Sequence, residues 1–254
     1  MTMKKYKKYI FALCFVLTFA LCSFTYHFAT SGETADFEVA KAEENIEQLE
    51  PMEQQQEITP EQFGIYMVDK PIYWSENRER LIREYAQRHY GRTETTIIPQ
   101  AVVVHWTVSS NWQSAYNWFY NEAMADGTLN VASQFIVERD GTVYRLSEET
   151  ALDRHVIGYN WCAIGIENVG GINNREDLTE AQLQANINLI RYLHAKYPTI
   201  QYVFGHYQQV AARASGLYIE NVAGYYSIKT DPGPIFMRGL REVLSGDGLT
   251  FFDD

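Results

Sequence analysis

The sequence predicts an α/β fold, a single mixed β-sheet flanked by helices. Short apolar runs at 101–106, 162–167 and 202–205 have the length and content of buried strands. Segments with apolar residues at helical spacing lie before, between and after them, each punctuated by a capping residue, a glycine or a proline. Strands alternating with helices in this way bury one sheet under packed helices.

Taken in order, Ser75 is placed to cap a helix over Glu76–Tyr90, with Leu81, Ile82 and Tyr85 on one side and Gly91 as its stop. Ala101–Trp106 is the first buried strand. Trp112, Ala115, Tyr116, Phe119 and Ala123 recur at helical spacing, with Gly127 expected to end that helix. Phe135–Glu138 and Thr142–Leu146, joined at Asp140-Gly141, read as a hairpin. Cys162–Glu167 is a further strand. Thr179 and Gln182 form a capping box, with Leu178 and Leu183 placed as a hydrophobic staple. The helix they start turns Leu183, Ile187, Ile190 and Tyr197 to the core, and Pro198 closes it. Tyr202–Gly205 is a short strand and Pro234–Leu244 a final helix.

The ends of the chain differ from this globular part. Lys4, Lys5, Lys7 and Lys8 precede an apolar run from Ile10 to Phe24, and Ala29-Thr30-Ser31 offers a cleavage site. That layout predicts a secretory signal peptide over 1–31, with an uncleaved membrane anchor and a lipoprotein at Cys22 as successively weaker alternatives. Each puts the protein in the cell envelope, the periplasm or the medium. The net charge of −11 is concentrated: Glu33 to Gln62 holds ten acids and one base. Residues 32–62 therefore read as an acidic, disordered tether. The expected organisation continues with a helical extension over 63–97, the main domain over 98–245 and a tail over 246–254. No basic patch carries interleaved aromatics, so nucleic acid is not an expected partner. Membrane contact is expected only through the N-terminal segment, if it stays uncleaved. Cys162 is the single cysteine beyond the targeting segment, which excludes an internal disulfide and suggests a buried, inert thiol.

Three polar residues end apolar strands: His105, Glu167 and His206. Strand ends of open α/β sheets are where ligands gather. Near the C-terminus, Pro232 and Pro234 stiffen the turn that carries Asp231, with Lys229 two residues before it. Two imidazoles and one carboxylate suffice to hold Zn²⁺ and leave a fourth position for water. His105, His206 and Asp231 meet that count, Glu167 suits a general base, and Lys229 suits an oxyanion partner. Each residue also has a plainer reading: core histidines, a capped turn, a surface glutamate and a solvated lysine.

Taken together and in order, these pieces resemble a known family. They are Val103-Val104-His105-Trp106-Thr107, Ser133-Gln134-Phe135-Ile136-Val137, Arg139-Asp140-Gly141-Thr142-Val143-Tyr144, and His155 with Gly158 and Asn160. Ala163-Ile164-Gly165-Ile166-Glu167-Asn168, Gly205-His206 and Lys229-Thr230-Asp231-Pro232-Gly233-Pro234 follow. The chain resembles the zinc-dependent N-acetylmuramoyl-L-alanine amidases related to phage T7 lysozyme and the peptidoglycan-recognition proteins, from about Ile98 to Leu244. The resemblance implies their sheet-and-helix fold, one Zn²⁺, and peptidoglycan or muropeptides as partner. It implies hydrolysis of the amide between N-acetylmuramic acid and L-alanine, with Glu167 assisting a water on the zinc. By position, His105, His206 and Asp231 would be the ligands, Glu167 and Lys229 catalytic, and His155, Trp106 and Asn160 on the substrate side. The connection Tyr207–Ile228 is longer than relatives carry, and its tyrosines are expected to wall the cleft. The alternatives are a binding protein of the same fold that does not hydrolyse, and an envelope protein whose metal is structural.

Overall fold

The computed structural model of the chain describes residues 57–253. The expected signal or anchor segment, and the acidic tether up to residue 56, lie outside the described residues. Among the described residues one mixed sheet is found, as the sequence predicts, in the order β1-β4-β3-β5-β2-β6-β7. The strands are β1 (Met67–Asp69), β2 (Ala101–Trp106), β3 (Phe135–Val137), β4 (Val143–Arg145), β5 (Ala163–Asn168), β6 (Tyr202–Gly205) and β7 (Thr250–Phe251). Only the β3–β4 hairpin pairs antiparallel; β2, β3, β5, β6 and β7 all run one way. The helices are α1 (Glu76–Tyr90), α2 (Trp112–Tyr120), α3 (Glu180–Lys196) and α4 (Pro234–Leu244).

The helix starts follow from their caps. Ser75 Oγ accepts from Arg78 N–H at 3.1 Å, and Gly91 ends α1 in the left-handed region. Thr179 and Gln182 make the reciprocal capping box of α3, at 3.1 and 2.9 Å. Loss of such a cap typically costs about 1 kcal/mol. Alternation along the strands then divides the core. Val102, Val104, Ile164 and Ile166 join Leu189, Ile190 and Leu193 of α3 and Leu240 and Leu244 of α4 in one buried cluster. Ala101, Val103 and Ala163 face the other way, against Tyr159, Cys162 and Phe204. Cys162 is fully buried just before β5, and burial pushes its thiol pKa up, as an inert thiol requires.

The structure departs from the sequence reading in three places. Helix α2 stops at Tyr120, short of Ala123, because Asn121 is extended. Ala123 instead forms a bridge with Leu129, and Gly127, at φ +80°, turns the chain between them. The extension before residue 98 is not only helical, since β1 pairs with β4. Ile58 and Phe63 already pack on the core, ahead of or at the expected boundary. Thr250 and Phe251 pair with β6 and so extend the sheet into the expected tail.

One buried acid gives a stability test. Asp153 is 3% exposed and accepts from Ser147 Oγ. Burial pushes its pKa up to about 6, against the hydrogen bond from Ser147 and the charge of Arg78. The unfolded chain releases this proton near pH 4, whereas the folded chain keeps it to about pH 6. Stability from this group is thus complete below pH 4 and lost as pH rises through 6. The loss is on the order of 3 kcal/mol. Asp153→Asn should flatten this fall, read as urea midpoints between pH 3.5 and 7; a slope identical to the parent would contradict it.

Candidate metal centre

Period-two alternation sets the site. His105 shares its face of β2 with Ala101 and Val103, and Glu167 shares its face of β5 with Ala163 and Gly165. The two strands are in register so that His105 lies beside Glu167. Asn168 Nδ2 donates to the His105 carbonyl at 3.1 Å and fixes that strand end. His206 follows the end of β6, which pairs with β2 on its other side.

Asp231 arrives from the far end of the long connection. Tyr207 N–H donates to its carbonyl at 2.9 Å, tying the turn to the residue after His206. Gly233, at φ +89°, allows the turn; a Cβ there would run into the Glu176 side chain. Glu176 Oε2 in turn accepts from Ile235 N–H at 2.9 Å, at the start of α4.

Three donor atoms converge as a result. His105 Nδ1 lies 2.9 Å from His206 Nδ1 and 3.1 Å from Asp231 Oδ2, and His206 Nδ1 lies 3.3 Å from the same oxygen. All three residues are buried. A tetrahedron around Zn²⁺ with bonds of about 2.0–2.1 Å has edges of roughly 3.3–3.4 Å, so the triangle lies within a few tenths of an ångström of a zinc face. The donor set, two imidazoles and a carboxylate, is one that leaves a fourth position open. These residues fit the ion.

Electrostatics agree with that use. Burial opposes the charge on Asp231, but the imidazoles of His105 and His206 beside its Oδ2 outweigh that and hold the carboxyl below its usual range. Burial pushes His206 down to about 4, so its ring is neutral, as a ligand must be. Glu167 is half-buried as a residue, yet its Oε2 is fully buried and has no hydrogen-bond partner among the described residues. Burial first, then the charge of Asp231, push its pKa well above the ordinary glutamate value, with Lys229 opposing.

The remaining candidates divide. A cavity of about 170 Å³ is lined by His206, His155, Asn160, Ser227 and Lys229. Lys229 is exposed there. His155 lines the cavity, but both its ring nitrogens are engaged inside the protein, with His105 Nε2 and the Ala163 carbonyl, each at 3.1 Å. Burial lowers its pKa well below the usual value. Asn160 is similarly committed. Its Oδ1 accepts from His155 and Val156 N–H, and its Nδ2 donates to Tyr85 and Tyr90. Trp106 is 5% exposed, with Gly171 lying close against its indole ring. Asn160 thus borders the cavity with its side-chain atoms bonded inside the protein, and Trp106 is buried in the chain's framework. Of the tyrosines expected to wall the cleft, Tyr225 borders the cavity, Tyr218 packs against Tyr159, and Tyr226 is exposed. Sequence reasoning missed Tyr85 and Tyr90, which carry no motif, and gave Asn168 no task although it adjoins Glu167.

Over 75 residues the chain is 41% identical to the endolysin of Escherichia phage T7, and over 76 residues 37% identical to that of Enterobacteria phage K11. Each match covers 28% of this chain, and the chain spans about half the length of these curated relatives. Among solved structures, LysCS, an endolysin N-acetylmuramoyl-L-alanine amidase from Clostridium intestinale, is 22% identical at a TM-score of 0.48, covering 70% of this chain and 95% of its own. Drosophila PGRP-LB is 19% identical at a TM-score of 0.44, covering 63% and 86%. The profile of the N-acetylmuramoyl-L-alanine amidase family matches residues 94–234, a span that runs from just before β2 through Asp231 and takes in His105, Glu167 and His206. On that match, over more than half its length, the chain belongs to the N-acetylmuramoyl-L-alanine amidase family.

Proposed function

We propose that the chain is a zinc-dependent peptidoglycan amidase that cleaves the amide between N-acetylmuramic acid and L-alanine. The observation that carries this reading is the buried triangle of His105, His206 and Asp231 beside a glutamate whose buried Oε2 has no partner among the described residues. Zn²⁺ held by the triangle would polarise the substrate carbonyl and bring the pKa of a water to about 7. Glu167 then accepts the proton of the attacking water on Oε2 and passes it to the departing alanine nitrogen. Its pKa, raised by burial and by the charge of Asp231, suits a group that must both take and return a proton. Lys229, at the cavity rim, stabilises the oxyanion of the tetrahedral species. Asp231 keeps its negative charge through the cycle and anchors the two imidazoles. His155, Trp106 and Asn160 shape the substrate side mainly by holding the walls in place.

In this reading the N-terminal segment delivers the protein to the envelope, the periplasm or the medium, where peptidoglycan or its fragments are met. The test uses the whole chain. Zinc-loaded protein incubated with peptidoglycan should release new L-alanine amino termini, and a chelator should stop the release until zinc is restored. Binding to peptidoglycan with no release from the zinc-loaded chain, across intact wall and soluble muropeptides, would overturn the enzyme reading in favour of a binding protein.

A further inference from the structure

Between the two imidazoles of the triangle the structure makes a difference. His206 Nε2 is buried without a hydrogen-bond partner among the described residues, whereas His105 Nε2 lies 3.1 Å from His155 Nδ1. His155 Nε2 lies 3.1 Å from the Ala163 carbonyl. A carbonyl only accepts, so His155 Nε2 carries the proton, and Nδ1 of the neutral ring must accept. His105 Nε2 is then the donor, which in the neutral ring leaves a lone pair on His105 Nδ1, the atom in the triangle, and the proton shared with Asp231 Oδ2 comes from His206 Nδ1, 3.3 Å away. The direction of each bond follows from the one before it.

The ring of His155 is itself held. It lies on Gly165, where a Cβ would come within 2.8 Å of its Cγ. Its backbone N–H donates to Asn160 Oδ1 at 2.9 Å, as does that of Val156 at 2.7 Å. Asn160 Nδ2 donates to Tyr85 and Tyr90 at 3.0 and 3.1 Å. Both tyrosines belong to α1, which ends before residue 94, where the family match begins.

We infer that His155 is a positioning residue that fixes the ring and tautomer of His105, and that Tyr85 and Tyr90 of α1, acting through Asn160, hold His155 in place. The inference rests on the proposed metal site, but half of its test does not. Outer hydrogen-bond partners of metal-binding histidines typically govern 10–100-fold of metal affinity.

Two measurements on the whole chain decide it: zinc affinity by chelator competition, and the His105 tautomer by imidazole ¹⁵N NMR in metal-free protein. His155→Leu should bind zinc about 10–100-fold more weakly and lose the Nε2–H preference of His105. His155→Asn, which keeps an acceptor near the Nδ1 position, should recover most of both. A His155→Leu protein with parental zinc affinity and an unchanged tautomer would overturn the role. Tyr85→Phe with Tyr90→Phe should weaken zinc binding in the same direction by less; unchanged affinity there would remove α1 from the relay. A parent chain that binds no zinc would overturn the metal site, and the tautomer measurement would still decide the relay.

Discussion

His206→Ala is expected to leave the chain without zinc at concentrations that saturate the parent, and without release of L-alanine amino termini. The triangle has three protein donors, and removing one leaves two to hold an ion in a site that already keeps a position open. The loss should exceed the ~10–100-fold attached to outer hydrogen-bond partners. The change also strips a hydrogen bond from Asp231, whose charge survives burial because His105 and His206 support it. Zinc per chain by elemental analysis, alongside competition titration, checks the result. Stoichiometric zinc at parental affinity in the variant would rule out His206 as a ligand.

Glu167→Gln should behave in the opposite way toward the metal. Zinc content should match the parent, while kcat falls by about 10²–10⁴-fold, the usual worth of a positioned general base. The pH dependence has a definite sign. A base must be ionised to act, so activity rises with pH through the pKa of Glu167. Burial and the charge of Asp231 place that rise above the ordinary glutamate range. The acid limb should vanish from whatever rate remains in the glutamine variant. Thermal stability at neutral pH should not drop, because an amide replaces a carboxylate whose charge the site disfavours. Full activity with an unaltered pH profile would mean that another group takes the proton.

Much of this was legible in the sequence because the informative units are local. Val102–Val104 and Ile164–Ile166 are apolar runs that read as buried strands, and the polar residue following each run falls near the C-terminal end of a central strand. The capping box at Thr179 and Gln182 is written within four residues. What was not legible depends on distant partners or on very short segments. Three residues at Met67 and two at Thr250 carry too little periodicity to read as strands. The end of α2 is decided by the pairing of Ala123 with Leu129, which competes with the helical spacing. Asn160 reads as a motif residue, but its task comes from tyrosines 70 and 75 positions earlier. His155 lines the cavity as the resemblance suggests, while its direction of hydrogen bonding needs Ala163 and His105 together.

The bond from Tyr207 N–H to the Asp231 carbonyl has a consequence for how this protein can vary. It closes the neck of the excursion between His206 and Asp231. Once a neck is closed, the entropic charge for a longer loop grows only with the logarithm of its length, about 0.6 kcal/mol per doubling. Extra residues can therefore accumulate beyond the neck while His206 and Asp231 at its base keep their spacing. Tyr225 and Ser227 show where such residues go, to the border of the cavity. The excursion is a place where the border of the cavity can drift while the triangle of His105, His206 and Asp231 stands still.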